Sequence, residues 1–178
     1  MAFLKALWDI IKAVFIRPNY DKPVIEQPMN APDINKEIEN LMKPKRERIL
    51  DNARSFLGKD ASPENKTNKE TACAESVAHI LNSITPSIPK GVLSTIELAF
   101  HLDHSDEYKD TRIPKEGNII VSPRKGSQLG HTGIFITTDT IASNDSRDGL
   151  FQLNYSFDEW AQEMRQKRGL RIFIYEAV

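Results

Sequence analysis

The residue best suited to covalent chemistry is Cys73, the only cysteine in the 178-residue sequence. It stands at the start of a predicted helix, and apolar residues follow it at helical spacing: Val77, Ile80, Leu81 and Ile84. The free N–H groups at a helix start stabilise an anion, which predicts a lowered thiol pKa and a reactive thiolate. A buried, inert cysteine is the alternative, because free cysteine is among the most buried residue types.

A histidine and several polar side chains could complete a site around this cysteine. His131 begins a predicted strand in which Gly133 is the next residue on the same face, and a strand glycine often marks the close approach of another element, here the cysteine helix. The returning strand carries Asn144 and Asp145. Alternation allows only one of these two to face His131, and we expect it to be Asn144. Cysteine, histidine and an orienting polar group are the parts of a cysteine nucleophile site.

Composition excludes several other functions. The 24 basic and 25 acidic residues leave no basic field for nucleic acid, so no nucleic-acid partner is expected. A single cysteine cannot form an internal disulfide, which fits synthesis in a reducing compartment. His101 and His104 are close in sequence, but nearby residues offer no third strong ligand, so we expect neither a metal nor a cofactor.

The order of the predicted elements indicates an α+β fold. Helical periodicity marks residues 45–57, the cysteine helix and roughly 92–102, and a Ser156–Glu159 capping box opens another helix. The charge-rich run 103–115 is predicted to be an exposed loop. Alternating patterns then predict about five strands, at 118–122, 131–137, 140–144, 149–154 and 170–175. We therefore expect an antiparallel sheet with helices packed on one face.

The amino-terminal segment has a different character. Residues 1–17 are predicted to form an amphipathic helix that is too short to span a bilayer but suited, through residues 2–16, to a membrane surface. Residues 18–44 form a proline-rich linker with a short helix, and the domain proper is predicted over 45–178. Without a cleaved signal peptide, cytoplasmic synthesis is expected, with the product membrane-associated, virion-associated or released by lysis.

Residues 48–178 resemble the NlpC-type peptidases and the related CHAP amidases, which include phage-encoded endolysins. The matching motifs are a helix ending in glycine at 56–58, Cys73 opening the next helix, Pro114 to Ile120, His131 to Ile134, and Asn144. The resemblance implies a papain-like fold and hydrolysis of a peptidoglycan amide, either within the peptide stem or at the sugar-to-stem amide. It also implies that Cys73 attacks the carbonyl, His131 transfers the proton and Asn144 orients His131.

The sequence also departs from the family pattern. Asn118 stands where the family usually has aspartate, Thr132 replaces the common valine, and alanines flank Cys73. No tyrosine lies between Gly58 and Cys73 to donate to an oxyanion, and we consider Asn65 or Asn68 as substitutes. The alternative to an enzyme is a non-catalytic virion or membrane-associated structural module that retains the fold.

Overall fold

A computed structural model describes residues 34–62 and 72–178 of the chain. The predicted amphipathic helix at 1–17, the first part of the linker and the two candidate oxyanion donors Asn65 and Asn68 lie outside the described residues. Residues Asn35–Val178 form one compact unit.

The centre of this unit is a six-stranded antiparallel sheet. Its strands are β1 Tyr108–Thr111, β2 Ile119–Ser122, β3 His131–Phe135, β4 Thr140–Asn144, β5 Phe151–Ser156 and β6 Phe173–Ala177. They lie in the order β1-β6-β2-β3-β4-β5. The predicted α+β class with an antiparallel sheet is therefore confirmed, and five of the six strands lie close to their predicted positions.

The sixth strand, β1, lies within the charge-rich run that was predicted to be an exposed loop, so that prediction was wrong. β1 pairs with β6 at one edge of the sheet. Only its first residue, Tyr108, is buried, whereas Lys109 and Asp110 are exposed. Edge strands commonly carry charges because these discourage pairing with other chains, and such charges hide the alternating pattern of a strand.

Helices cover both faces of the sheet, which corrects the prediction that they would pack on one face. The helices are α1 Ile34–Met42, α2 Lys45–Ser55, α3 Cys73–Asn82, α4 Thr95–Asp103 and α5 Phe157–Trp160, the last continuing as a π-helix over Ala161–Lys167. One core cluster joins α2, α3 and α4 to the first face through residues such as Val77, Leu81 and Ile134. A second, smaller cluster packs Trp160 and Met164 against the opposite face.

The predicted capping box at the start of α5 is confirmed. The Ser156 hydroxyl accepts a hydrogen bond from the Glu159 backbone N–H, and the Glu159 carboxylate accepts one from the Ser156 backbone N–H at 2.7 Å. This cap orients the helix so that the Trp160 ring is fully buried against the sheet, where its indole N–H donates to Ser122 Oγ at 3.0 Å. Trp160 is thereby fixed directly beside the start of β3.

The short helix α1 within the predicted linker keeps its apolar side chains in solvent. Ile34, Ile38, Leu41 and Met42 are all at least half exposed. Within 34–62 and 72–178, no helix combines the length and the apolar character that crossing a membrane would require.

Gly133 is a point of close packing within the sheet. A Cβ at this position would lie 2.6 Å from the backbone oxygen of Ala142 and 2.6 Å from Ile141 Cγ2, both on β4. The close approach is therefore that of the neighbouring strand, not of the cysteine helix as expected.

We predict that Gly133→Ala lowers the free energy of unfolding by roughly 1–3 kcal/mol, because the rigid β4 backbone cannot move aside. Urea unfolding checks this, and a variant as stable as the wild type would contradict it.

Candidate active site

Cys73 is the first residue of α3 and is 6% exposed. Its sulfur lies beside the start of β3, where backbone N–H groups of Thr132, Ala74 and Cys73 itself are placed to donate to a thiolate. Burial nevertheless dominates and raises the pKa of the Cys73 thiol to about 11. The expectation of a lowered pKa at the helix start was wrong. The free-energy cost of removing the thiolate from water is larger than the stabilisation that the N–H groups at the helix start provide.

This environment predicts a thiol that reacts slowly in the resting protein. A pKa of about 11 leaves a thiolate fraction at pH 7 roughly 300-fold below that of a free cysteine with a pKa of about 8.5. We expect iodoacetamide to label the folded protein at least that much more slowly than the urea-unfolded protein, and the rate to rise as the pH approaches 11. Equally fast labelling of the folded and unfolded chains at pH 7 would contradict the buried neutral thiol.

His131 is held by hydrogen bonds on one ring nitrogen and by aromatic rings on its sides. Its Nε2 lies 2.9 Å from Ser143 Oγ, and that hydroxyl donates in turn to Asn154 Oδ1 at 2.7 Å. The imidazole stacks on the Trp160 ring at a centroid distance of 5.1 Å, and the Tyr155 ring packs against it at a steep angle. The ring orientation is therefore determined by contacts from three different elements.

His131 is half-buried in the wall of a cleft, and its surroundings keep it neutral. Desolvation, followed by the nearby positive charge of Arg168, lowers the pKa of His131 to about 4, and the carboxylate of Asp145 only partly opposes this. At pH 7 the imidazole therefore has one unprotonated nitrogen that can accept a proton. In the resting protein the Cys73 thiol and the His131 imidazole are therefore both neutral.

The residue bonded to His131 is Ser143, not Asn144 as expected. In β4, Ser143 lies opposite Gly133 and on the same face as His131, whereas Asn144 alternates to the other face. Asp145 does not contact the ring either, because its carboxylate binds the backbone N–H and guanidinium of Arg147. The sequence does not give the register of the β3–β4 hairpin, and this register decides which residue of β4 reaches His131.

Cys73 and His131 reach the start of β3 from different sides of the sheet, since α3 packs on the face that carries Ile134, whereas His131 stacks on Trp160 at the opposite face. The sulfur is beside the N–H of Thr132, the residue that follows His131. Tyr155 packs its ring against His131, and the Cys73 charge contributes to raising the pKa of its phenol, after burial as the main cause. Gly130, which precedes His131, packs closely against the start of α4, because a Cβ there would collide with Thr95 Oγ1.

Two cavities meet at this point. An open cleft of about 770 Å³ contains His131, Asn144 and Asp145 in its wall, and a smaller cavity of about 90 Å³ contains Cys73. Leu129 and Gly130 belong to both walls, so a short loop separates the sulfur side from the histidine side. Arg168 holds this loop by donating from Nη1 to the Leu129 carbonyl oxygen at 3.1 Å.

The start of α3 offers donors for a developing oxyanion. No side chain caps the helix at Ala72 within the described residues. The N–H groups of Cys73 and Ala74 face the sulfur, where a carbonyl carbon attacked by that sulfur would place its oxygen within reach. Among the residues that the structure describes, no group of three His, Cys, Asp or Glu side chains could hold a metal ion.

The fold and the site together describe an α+β protein with a buried cysteine and an oriented, neutral histidine at the end of one strand. No protein-family model matches the sequence, and no curated protein matches it. Among solved structures, the chain is similar to one in the crystal structure of the type VI native effector-immunity complex Tae3-Tai3 from Ralstonia pickettii. The identity is 15%, the TM-score is 0.46, and the match covers 76% of this chain and 100% of that one. This similarity is too low to bear on activity.

Proposed function

We propose that the protein is a cysteine hydrolase with a papain-like fold that cleaves an amide bond in peptidoglycan. The observation that carries the proposal is the arrangement around the start of β3: Cys73 begins a helix with its sulfur beside the Thr132 N–H, and the preceding strand residue is a neutral His131 that is oriented through Ser143. A nucleophile, a base and a group that orients the base are the minimum for covalent catalysis by a thiol.

In the proposed reaction, Cys73 Sγ attacks the amide carbonyl carbon while His131 takes the thiol proton. The carbonyl oxygen becomes an oxyanion beside the N–H groups of Cys73 and Ala74. His131 then gives its proton to the amide nitrogen, the C–N bond breaks and an amine leaves, with the acyl group held as a thioester on Cys73. Water attacks the thioester with His131 again as base, which releases a carboxylic acid and restores the thiol.

The neutral resting pair affects the order of these steps. With the pKa of Cys73 raised to about 11 and that of His131 lowered to about 4, a preformed thiolate–imidazolium pair is disfavoured before substrate binds. Proton transfer therefore accompanies the attack of sulfur on the carbonyl, as general-base catalysis.

The substrate class rests on the resemblance of residues 48–178 to the NlpC-type and CHAP enzymes. The cleft beside His131 fits a branched peptide in size, since about 770 Å³ falls within the roughly 300–1,000 Å³ of typical ligand sites. Its wall is polar and carries Asp145, Arg147 and Arg168. A peptide stem with charged groups is a suitable ligand for such a wall.

A second candidate is a non-catalytic structural module, and one observation favours it. Cys73 is 6% exposed, and a cysteine that deeply buried is commonly inert core packing. In that case the hydrogen bond of His131 to Ser143 would serve only to satisfy a half-buried ring.

Incubation of purified protein with purified peptidoglycan, followed by mass spectrometry of the soluble fragments, tests the proposal. We expect fragments with a new carboxyl terminus and a new amine. Cleavage at the sugar-to-stem amide would release whole stem peptides, and cleavage within the stem would release truncated ones. Failure to release fragments between pH 5 and 9 would favour the structural module.

A further inference from the structure

The strand next to the His131 hairpin contains a β-bulge at Asn154. Between β4 and β5, Ile141 pairs with Tyr155 and Ala142 pairs with Leu153, so Asn154 is an additional residue without a partner in the ladder. In a regular strand, consecutive side chains point to opposite faces, and a bulge changes that alternation.

The bulge brings two consecutive side chains to the same histidine. Asn154 accepts the hydrogen bond from Ser143, which in turn contacts His131. Tyr155 packs its ring against the imidazole. β-Bulges often occur beside active sites, where they redirect a side chain. Regular pairing would place only one of these two residues on the side of His131.

The hydrogen bonds around Asn154 have only one consistent direction. The backbone carbonyl of Ser143 can only accept, so the amide nitrogen of Asn154, 3.4 Å away, is the donor to it. This assigns Oδ1 to the side facing the Ser143 hydroxyl, and Oδ1 can only accept. The hydroxyl therefore donates its hydrogen to Asn154 at 2.7 Å and offers a lone pair to His131 Nε2 at 2.9 Å.

A neutral imidazole carries one hydrogen, and this arrangement favours its location on Nε2. Nδ1 then has a free lone pair. We propose that Asn154 is a positioning residue that, through Ser143, holds His131 in the Nε2–H tautomer and leaves Nδ1 as the ring nitrogen with the lone pair that a base needs. The catalytic part of this inference rests on the proposed hydrolase function, whereas the tautomer itself does not.

The tautomer can be measured directly in the whole protein labelled with ¹⁵N-histidine, because the ¹⁵N chemical shifts distinguish protonated from unprotonated ring nitrogens. At pH 7 we expect the wild type to show His131 protonated at Nε2. Asn154→Leu removes both amide contacts at similar size, so the Ser143 hydroxyl can turn and donate to Nε2, and the Nδ1–H form should become populated. Asn154→Asp retains an acceptor for the hydroxyl and should restore the Nε2–H form.

Gln152→Leu is the matched control. It removes an amide from the same strand, two residues away, where Gln152 binds Asp148 instead of Ser143. We expect the His131 tautomer of this variant to equal that of the wild type. An unchanged tautomer in Asn154→Leu, with only a lower Tm, would show a purely structural role and overturn the inference. So would a wild type protonated at Nδ1.

Kinetics separate this inference from the proposed function. For peptidoglycan hydrolysis, we expect Asn154→Leu to lower kcat by about 10- to 100-fold, part of the 10²–10⁴ that a positioned base contributes, with little change in KM. If Asn154→Leu shifts the tautomer but the wild type hydrolyses no peptidoglycan, the effect of Asn154 on His131 through Ser143 would be upheld and the proposed function overturned. Normal kcat in Asn154→Leu despite a shifted tautomer would overturn the positioning role.

Discussion

Replacing Cys73 by alanine is expected to reduce the rate of peptidoglycan hydrolysis by at least about 1,000-fold, because no other group can form the thioester. The change removes one buried sulfur atom at a helix start and should leave the fold intact. The release of soluble fragments over time, measured by mass spectrometry for both proteins at equal concentration, gives the ratio of rates.

Ser76→Ala provides the matched control for this experiment. Ser76 lies one turn further along α3, is fully buried, and its hydroxyl has no hydrogen-bond partner in the described part of the chain. The variant therefore removes one buried atom from the same helix without touching the proposed machinery. We expect its rate to remain within about two-fold of the wild type. Similar losses in the two variants would mean that Cys73 acts through helix packing and not as the nucleophile.

The second large effect concerns stability at acidic pH. Because burial lowers the pKa of His131 to about 4 in the folded protein, the unfolded chain binds a proton more readily, at its ordinary value near 6.5. The stability linked to the neutral ring is fully present above pH 6.5 and is lost as the pH falls towards 4. The expected loss is about 3 kcal/mol, from a difference of roughly 2.5 pKa units at 1.36 kcal/mol each.

His131→Gln isolates this contribution, since glutamine does not titrate and the remaining histidines are common to both proteins. Urea unfolding at pH 7 and pH 4 gives the free energy of unfolding of each. The wild type should lose about 3 kcal/mol more than the variant between these two pH values. Equal losses would mean that His131 titrates normally and that the ring is not held neutral by burial.

The sequence was a good guide to the local elements of the fold. The capping box at Ser156, the helix that begins at Cys73 and the strand that begins at His131 all depend on nearby residues, so patterns and spacing located them. β1 was missed because it lies at the edge of the sheet, where its exposed charged residues replace the alternating apolar pattern that marks a strand packed on a core. The packing of Trp160 and Met164 on the opposite face of the sheet was missed. The sequence pattern of a helix does not show which face of the sheet it covers, because this depends on the tertiary structure.

The site was harder to predict for the same reason. Alternation places Asn144 and Ser143 on opposite faces, but only the hairpin register, with Gly133 opposite Ser143, decides which of them reaches His131. The contribution of Asn154 depends on a bulge, which alternation cannot reveal. The raised pKa of Cys73 follows from burial of the thiol away from bulk water, and an argument from the helix start alone does not include that cost.

The central claim is that Cys73 forms an acyl intermediate with the assistance of His131. The most direct measurement uses an aminoacyl p-nitrophenyl ester, whose good leaving group makes acylation faster than hydrolysis of the thioester. For the wild type, we predict a burst of about one equivalent of nitrophenol per chain and an acyl group on the peptide that contains Cys73. Neither should occur in Cys73→Ala. Nitrophenol release at the same rate from both proteins, with no acyl group on Cys73, would contradict the account.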